Sequence, residues 1–75
     1  MNHMKTLILN KQTGREVEEH QWVTRKDYRG LYSKYEILEI YEDTEEARVR
    51  YITGDDGYLY TTQSFFKLGL RRVLL

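Results

Sequence analysis

The stretch WVTRKDYRGLYSKY, residues 22–35, sets Arg25, Lys26, Arg29 and Lys34 among Trp22, Tyr28, Tyr32 and Tyr35, with Asp27 its one acid. The two kinds of side chain do different work on a nucleic acid. Lysine and arginine neutralise phosphates and release counterions, while flat rings stack on unpaired bases. The same mixture suits a protein interface, where aromatic rings and arginine are enriched. A third reading keeps Trp22 and Tyr35 in the core and lets the cations pair with acids elsewhere. Lys67, Arg71 and Arg72 extend the basic set toward the C-terminus. In a strand Arg71 and Arg72 point to opposite faces, so one of them lays its stem on the protein and keeps its head in water. The candidate binding residues, for DNA, RNA or a protein partner, are Arg25, Lys26, Tyr28, Arg29, Tyr32, Lys34, Lys67 and Arg71.

Other reactive side chains are too sparse for catalysis. Glu16 and His20 would share a face of a helix, but two ligands do not make a metal site, which needs three or four. Glu36, Glu39, Glu42, Asp43, Glu45 and Glu46 form an acidic run. Acid–base work needs two carboxylates facing across a cleft, one with a raised pKa, and a barrel this small has little room for one. The run reads as a solvated strand end and turn, or as a surface for a basic partner. Asp55 and Asp56 lie between glycines without the spacing of a calcium loop, and the same two charges argue against phosphate at GDDG. Ser33 and Ser64 have no motif around them, and His20 has no acidic orienter. The expectation is a protein that is not an enzyme, with no cofactor and no metal.

Composition bounds the rest. A chain of 75 residues makes one domain, residues 1–75, with a small core. There is no cysteine to form a disulfide or supply a thiolate. No apolar run is long enough for a signal peptide or a membrane span, so a soluble cytoplasmic protein is expected. Charged residues make up 32%, yet seven tyrosines, two phenylalanines and a tryptophan supply enough apolar bulk to argue against disorder. Net charge is zero, which argues against a generic polyanion binder. The neutrality hides segregation. Residues 1–35 hold seven Lys/Arg against four acids, residues 36–66 hold two against eight, and residues 67–75 hold three against none.

These residues must be positioned by short strands. KTLILN, residues 5–10, alternates as a strand covered on both sides, and NKQTG reads as a turn. REVEE returns as a second strand, with a helix over residues 15–23 as the competing reading. Residues 24–34 have no clean period and read as a loop. YEILEIYE places Tyr35, Ile37 and Tyr41 on one face and Leu38 and Ile40 on the other. After the DTEE turn, ARVRYIT alternates Ala47, Val49 and Tyr51 against Arg48, Arg50 and Ile52. GDDG is the next turn and YLYTT the next strand. Thr62 is the expected N-cap of one helical turn, QSFFKL, which Gly69 stops in left-handed conformation. Its phenylalanines plug the core. LRRVLL resumes as the last strand, and Val73–Leu75 either seal the fold or present an apolar edge to another chain.

Strand, long loop, three-strand meander, one helical turn and a final strand is an order that resembles SH3-like small barrels. The expected fold is therefore all-β, a small five-stranded SH3-like barrel with one short helical turn before the last strand. On such a barrel the 24–34 loop lines the binding groove. Residues 34–70 carry a narrower resemblance, in KYEILEIY, VRYITG and TTQSFFKLGL. They resemble small β-modules of phage homing endonucleases and other short phage proteins. Tyr35, Glu36, Ile37 and Glu39 match the first part of that pattern, Val49 and Tyr51 the second, and Thr62, Phe66, Lys67 and Gly69 the third. The modules often continue into Asn-Pro, where this chain has LRRVLL. The resemblance implies a phage-derived, non-catalytic module that associates with nucleic acid. The alternative is a phage effector or inhibitor that binds a host protein through its tyrosine-rich face. A third reading is an assembly part using the C-terminal edge.

Overall fold

The computed structural model of the chain describes residues 5–53 and 57–75. It is mostly β. In chain order the elements are β1 (Thr6–Asn10), β2 (Trp22–Lys26), β3 (Tyr32–Tyr41), β4 (Glu46–Thr53), β5 (Gly57–Ser64), the helical turn α1 (Phe65–Leu68) and β6 (Leu70–Leu74). β2, β3, β4 and β5 form an antiparallel sheet in that order, and β1 pairs antiparallel with β6 in a second, two-stranded sheet. Six strands thus stand where five were expected, and among the described residues no ladder closes the two sheets into a barrel. No helix among the described residues is long and apolar enough to cross a membrane.

The core lies between the two sheets. Val23, Tyr35, Ile37, Ala47 and Val49 line the inner face of the large sheet, and Ile8, Phe65, Leu68 and Leu70 cover them. Alternation on β4 places Ala47, Val49 and Tyr51 inward, as the sequence predicts. On β3 the alternation is broken by a bulge: Ile37 pairs with Val49, but Glu39 pairs with Arg48, leaving Leu38 as an extra residue. Ile40 therefore returns to the core face opposite Ala47, and Tyr41, expected beside Tyr35, turns outward.

Three expectations about the connections need correction. Residues 15–19 form neither the expected strand nor a helix. Val17 is their one apolar residue, so they make only a short contact, with Glu16 bridging Leu9 and the Val17 N–H donating to the Ile8 carbonyl. His20, at φ 72°, then turns the backbone out of line. Residues 24–34 are not a loop but the body of a hairpin, β2 and the start of β3, joined by a turn at residues 27–31. The turn expected at GDDG falls on residues 54–56, outside the described residues.

The helical turn starts later than Thr62, because β5 keeps its pairing with β4 through Glu46↔Ser64. Ser64 is the cap, its Oγ accepting from the Lys67 N–H at 3.2 Å. Gly69 ends the turn at φ 74°, as the sequence requires. Of the two phenylalanines only Phe65 plugs the core, and Phe66 is 80% exposed. A turn this short offers one inward position near its start.

Candidate functional site

The hairpin register decides which side chains share a surface. Val23 faces inward, so Trp22, Thr24 and Lys26 face outward, and Trp22↔Glu36, Thr24↔Lys34 and Lys26↔Tyr32 pair across to β3. Glu36 pairs in turn with Arg50, Arg50 with Tyr60, Ile52 with Tyr58 and Arg48 with Thr62. The outward face of the sheet thus carries Trp22, Tyr32, Tyr58 and Tyr60 with Lys26, Lys34, Arg48 and Arg50, and toward the β3–β4 turn it becomes acidic, with Glu39 opposite Arg48 and Glu46 opposite Tyr41.

Cations and rings are in contact there. Lys26 Nζ lies 5.9 Å from the Tyr32 ring centre and Lys34 Nζ 5.5 Å from that of Trp22. The Arg50 guanidinium sits between Trp22, at 5.6 Å, and Tyr58, at 4.3 Å. Its Nε is 2.5 Å from Glu36 Oε1, an ion pair without hydrogen-bond alignment of that N–H. The Arg50 pKa is raised, first by the Tyr60 hydroxyl beside it, against partial desolvation and with help from Glu36. Arg50 is therefore a fixed, permanently charged centre. Lys26 and Lys34 are exposed, and the ion pairs found among the described residues, Arg50–Glu36 and Arg29–Asp27, do not involve them.

The residues expected from the sequence divide into three groups. Lys26, Tyr32 and Lys34 are on this face. Tyr28 and Arg29 are in the turn at its end, with Tyr28 96% exposed and the Arg29 guanidinium 5.7 Å from its ring. That turn is organised by Asp27, whose Oδ1 accepts from the N–H groups of Arg29 and Leu31, while Oδ2 accepts from the Arg29 guanidinium. Partial desolvation pushes the Asp27 pKa up, but these donors outweigh it and leave it below its ordinary value. Arg25, Lys67 and Arg71 are elsewhere.

Arg25 shares its parity with Val23 and points to the inner side. Its stem lies over Gly69, where an added Cβ would come within 3.2 Å of Arg25 Nε. Lys67 is on α1, and Arg71 is on β6 opposite Leu9. Arg71 lines an open groove with Lys11, Phe66, Arg72 and Glu45, and Lys11 Nζ stands 5.4 Å over the Phe66 ring. Arg72 Nη1 donates to the Glu42 carbonyl at 3.1 Å. The C-terminal cations therefore build a separate surface and do not extend the hairpin face.

Sequence reasoning missed Trp22, given to the core, and Arg48, Arg50, Tyr58 and Tyr60. The signal was present in the alternation of β4 and in YLYTT. Pooling the outward residues of neighbouring strands would have found them. Residues 15–20 are not helical, so Glu16 and His20 do not share a helix face, and no group of three His, Asp or Glu able to hold a metal occurs among the described residues. No family model, curated protein or solved structure matches this chain.

Proposed function

We propose that the chain is a non-catalytic module that binds single-stranded nucleic acid on the outward face of its four-stranded sheet. One observation carries the reading: four aromatic rings lie on one sheet face with four cations, and of the acids there Glu36 is held by Arg50 while Glu39 and Glu46 lie at the far end beside Arg48. A sheet face with exposed rings suits splayed, unpaired bases, while Lys26 and Lys34, on the hairpin away from Glu39 and Glu46, meet the phosphates. The hairpin of residues 22–36 remains the centre of the site, as its composition suggests, but the partner surface is a sheet face rather than a loop.

An SH3-like scaffold and a phage origin go with this proposal. In favour of the scaffold are the return of β6 onto β1, the meander, and the single helical turn capped by Ser64 and Gly69. In favour of the origin is the residue pattern over positions 34–70.

The test is anisotropy with labelled single- and double-stranded DNA and RNA at two salt concentrations. Single strands should bind, and Trp22→Ala with Tyr32→Ala should weaken that binding by about 1–3 kcal/mol for each base that loses its stacking ring. Lys26→Ala with Lys34→Ala should flatten the salt dependence by roughly 0.7 in logarithmic slope per lost phosphate contact. Arg25→Ala is a poor probe, because it also removes packing on Gly69. Absence of binding to every oligonucleotide at low salt overturns the reading. The tyrosine-rich face would then be tested for a protein partner by pull-down.

A further inference from the structure

The four-stranded sheet has two edges, and they are treated differently. At the β2 edge Lys26 turns its backbone outward and Gln12 takes it: the Lys26 N–H donates to Gln12 Oε1 at 2.9 Å, and Gln12 Nε2 donates to the Lys26 carbonyl at 2.7 Å. That strand is five residues long and carries Arg25 and Lys26. Short length, charge and a covering group are the usual means of keeping an edge from pairing. β1 is uncharged but flanked by β6 on one side and by residues 15–17 on the other. β6 carries two arginines.

β5 has none of these protections. GYLYTTQS is eight residues long, with no charged residue and no proline. Beyond the β4 ladder and the cap of α1, no backbone partner lies on its other side among the described residues. Tyr58, Leu59 and Tyr60 are 50%, 54% and 51% exposed. They are consecutive, so they alternate between the two faces of the sheet. A ligand lying on the outward face would cover the tyrosines and leave Leu59 in water. A strand added in the plane of the sheet covers all three.

We infer that β5 pairs antiparallel with β5 of a second copy of this chain, making one continuous eight-stranded sheet about a two-fold axis. A strand that meets itself on such an axis puts like residues near like, so a charged strand would repel itself, and β5 carries no charge. The zero net charge of the chain adds no long-range repulsion. The pairing also joins two aromatic faces edge to edge, because Tyr58 and Tyr60 stand beside the axis. It does not depend on what that face binds.

The experiment is sedimentation of the full chain over a wide concentration range, together with amide exchange. The mass should rise from 9.1 kDa toward twice that value. Alternate amides of residues 57–64 should be protected in concentrated samples and lose protection on dilution. Tyr60→Glu with Thr62→Glu should return the chain to a monomer. Each glutamate faces an arginine within its own sheet, Arg50 and Arg48, so folding is supported while the edge becomes charged. A single-chain mass at every concentration overturns the inference. So does a dimer in which the β5 amides exchange as they do on dilution, and so does a folded double variant that stays dimeric. Should the double variant not fold, the amide pattern of the unaltered chain decides alone.

Discussion

The inner and outer faces of the four-stranded sheet use the same aromatic residue for opposite ends. Inside, Tyr35 and Tyr51 pack with ring centres 5.8 Å apart, and their hydroxyls donate to the Leu68 carbonyl and to Gln63 Oε1, each at 2.8 Å. Burial raises the pKa of both phenols. Outside, Tyr32, Tyr58 and Tyr60 keep half or more of their surface in water, and Tyr32 and Tyr58 lie within reach of cations. Residue type does not choose between core and binding surface in this chain. Strand parity does.

The sharpest way to break this contrast is to truncate the same residue on both faces. Ile37 is fully buried and Ile52 is 60% exposed. Ile37→Ala should cost about 2–5 kcal/mol of stability, through lost transfer energy and the cavity left behind. Ile52→Ala should change it by no more than about 0.5 kcal/mol. Urea unfolding of the two variants gives both values, and equal effects would mean the register is wrong.

A smaller effect separates the tyrosines by titration. The folded chain holds the Tyr35 proton more tightly than the unfolded chain, chiefly through burial and then through Tyr51. The stability linked to that proton is intact below the ordinary phenol value of 10.0 and is lost as pH climbs toward the raised folded value. Tyrosinate absorbance should therefore appear in two stages, exposed phenols first and Tyr35 and Tyr51 with unfolding. A single stage without loss of structure would place those rings in water.

The smallest effect concerns the turn that ends the outer face. Asp27→Asn removes the carboxylate that organises residues 27–31, and the melting temperature should fall slightly at neutral pH. Because the folded-state pKa of Asp27 is lowered, its contribution is present above the ordinary value of 3.8 and disappears as pH falls through the folded value. The two chains should then melt together in acid. A difference that survives there would assign the effect to something other than charge.

Much of this architecture is written in local signals. The meander shows in the alternation of ARVRYIT, the helical turn in FFKL and the glycine after it, though its cap is Ser64 and not the expected Thr62, and the last strand in LRRVLL. β2 was hidden because Val23 is its single fully buried residue, and its cations mimic a loop. The bulge was hidden because YEILEIYE is apolar on both faces, so either phase fits. The site was legible where rings and cations are neighbours in sequence, at Lys26, Tyr32 and Lys34. Arg50, Tyr58 and Tyr60 join it only through register, which no single segment records.

The bulge on β3 gives that strand an uneven tolerance for changes in length. In a regular strand, losing one residue exchanges the two faces of everything beyond the gap. Leu38 is the extra residue opposite Val49, so its removal leaves Ile37 inward, Glu39 outward and Ile40 inward, an ordinary alternation. The chain can shorten by one residue there without turning its core to the solvent. A deletion within β4, whose ladder to β5 runs without a shift, would instead exchange the faces of everything beyond it.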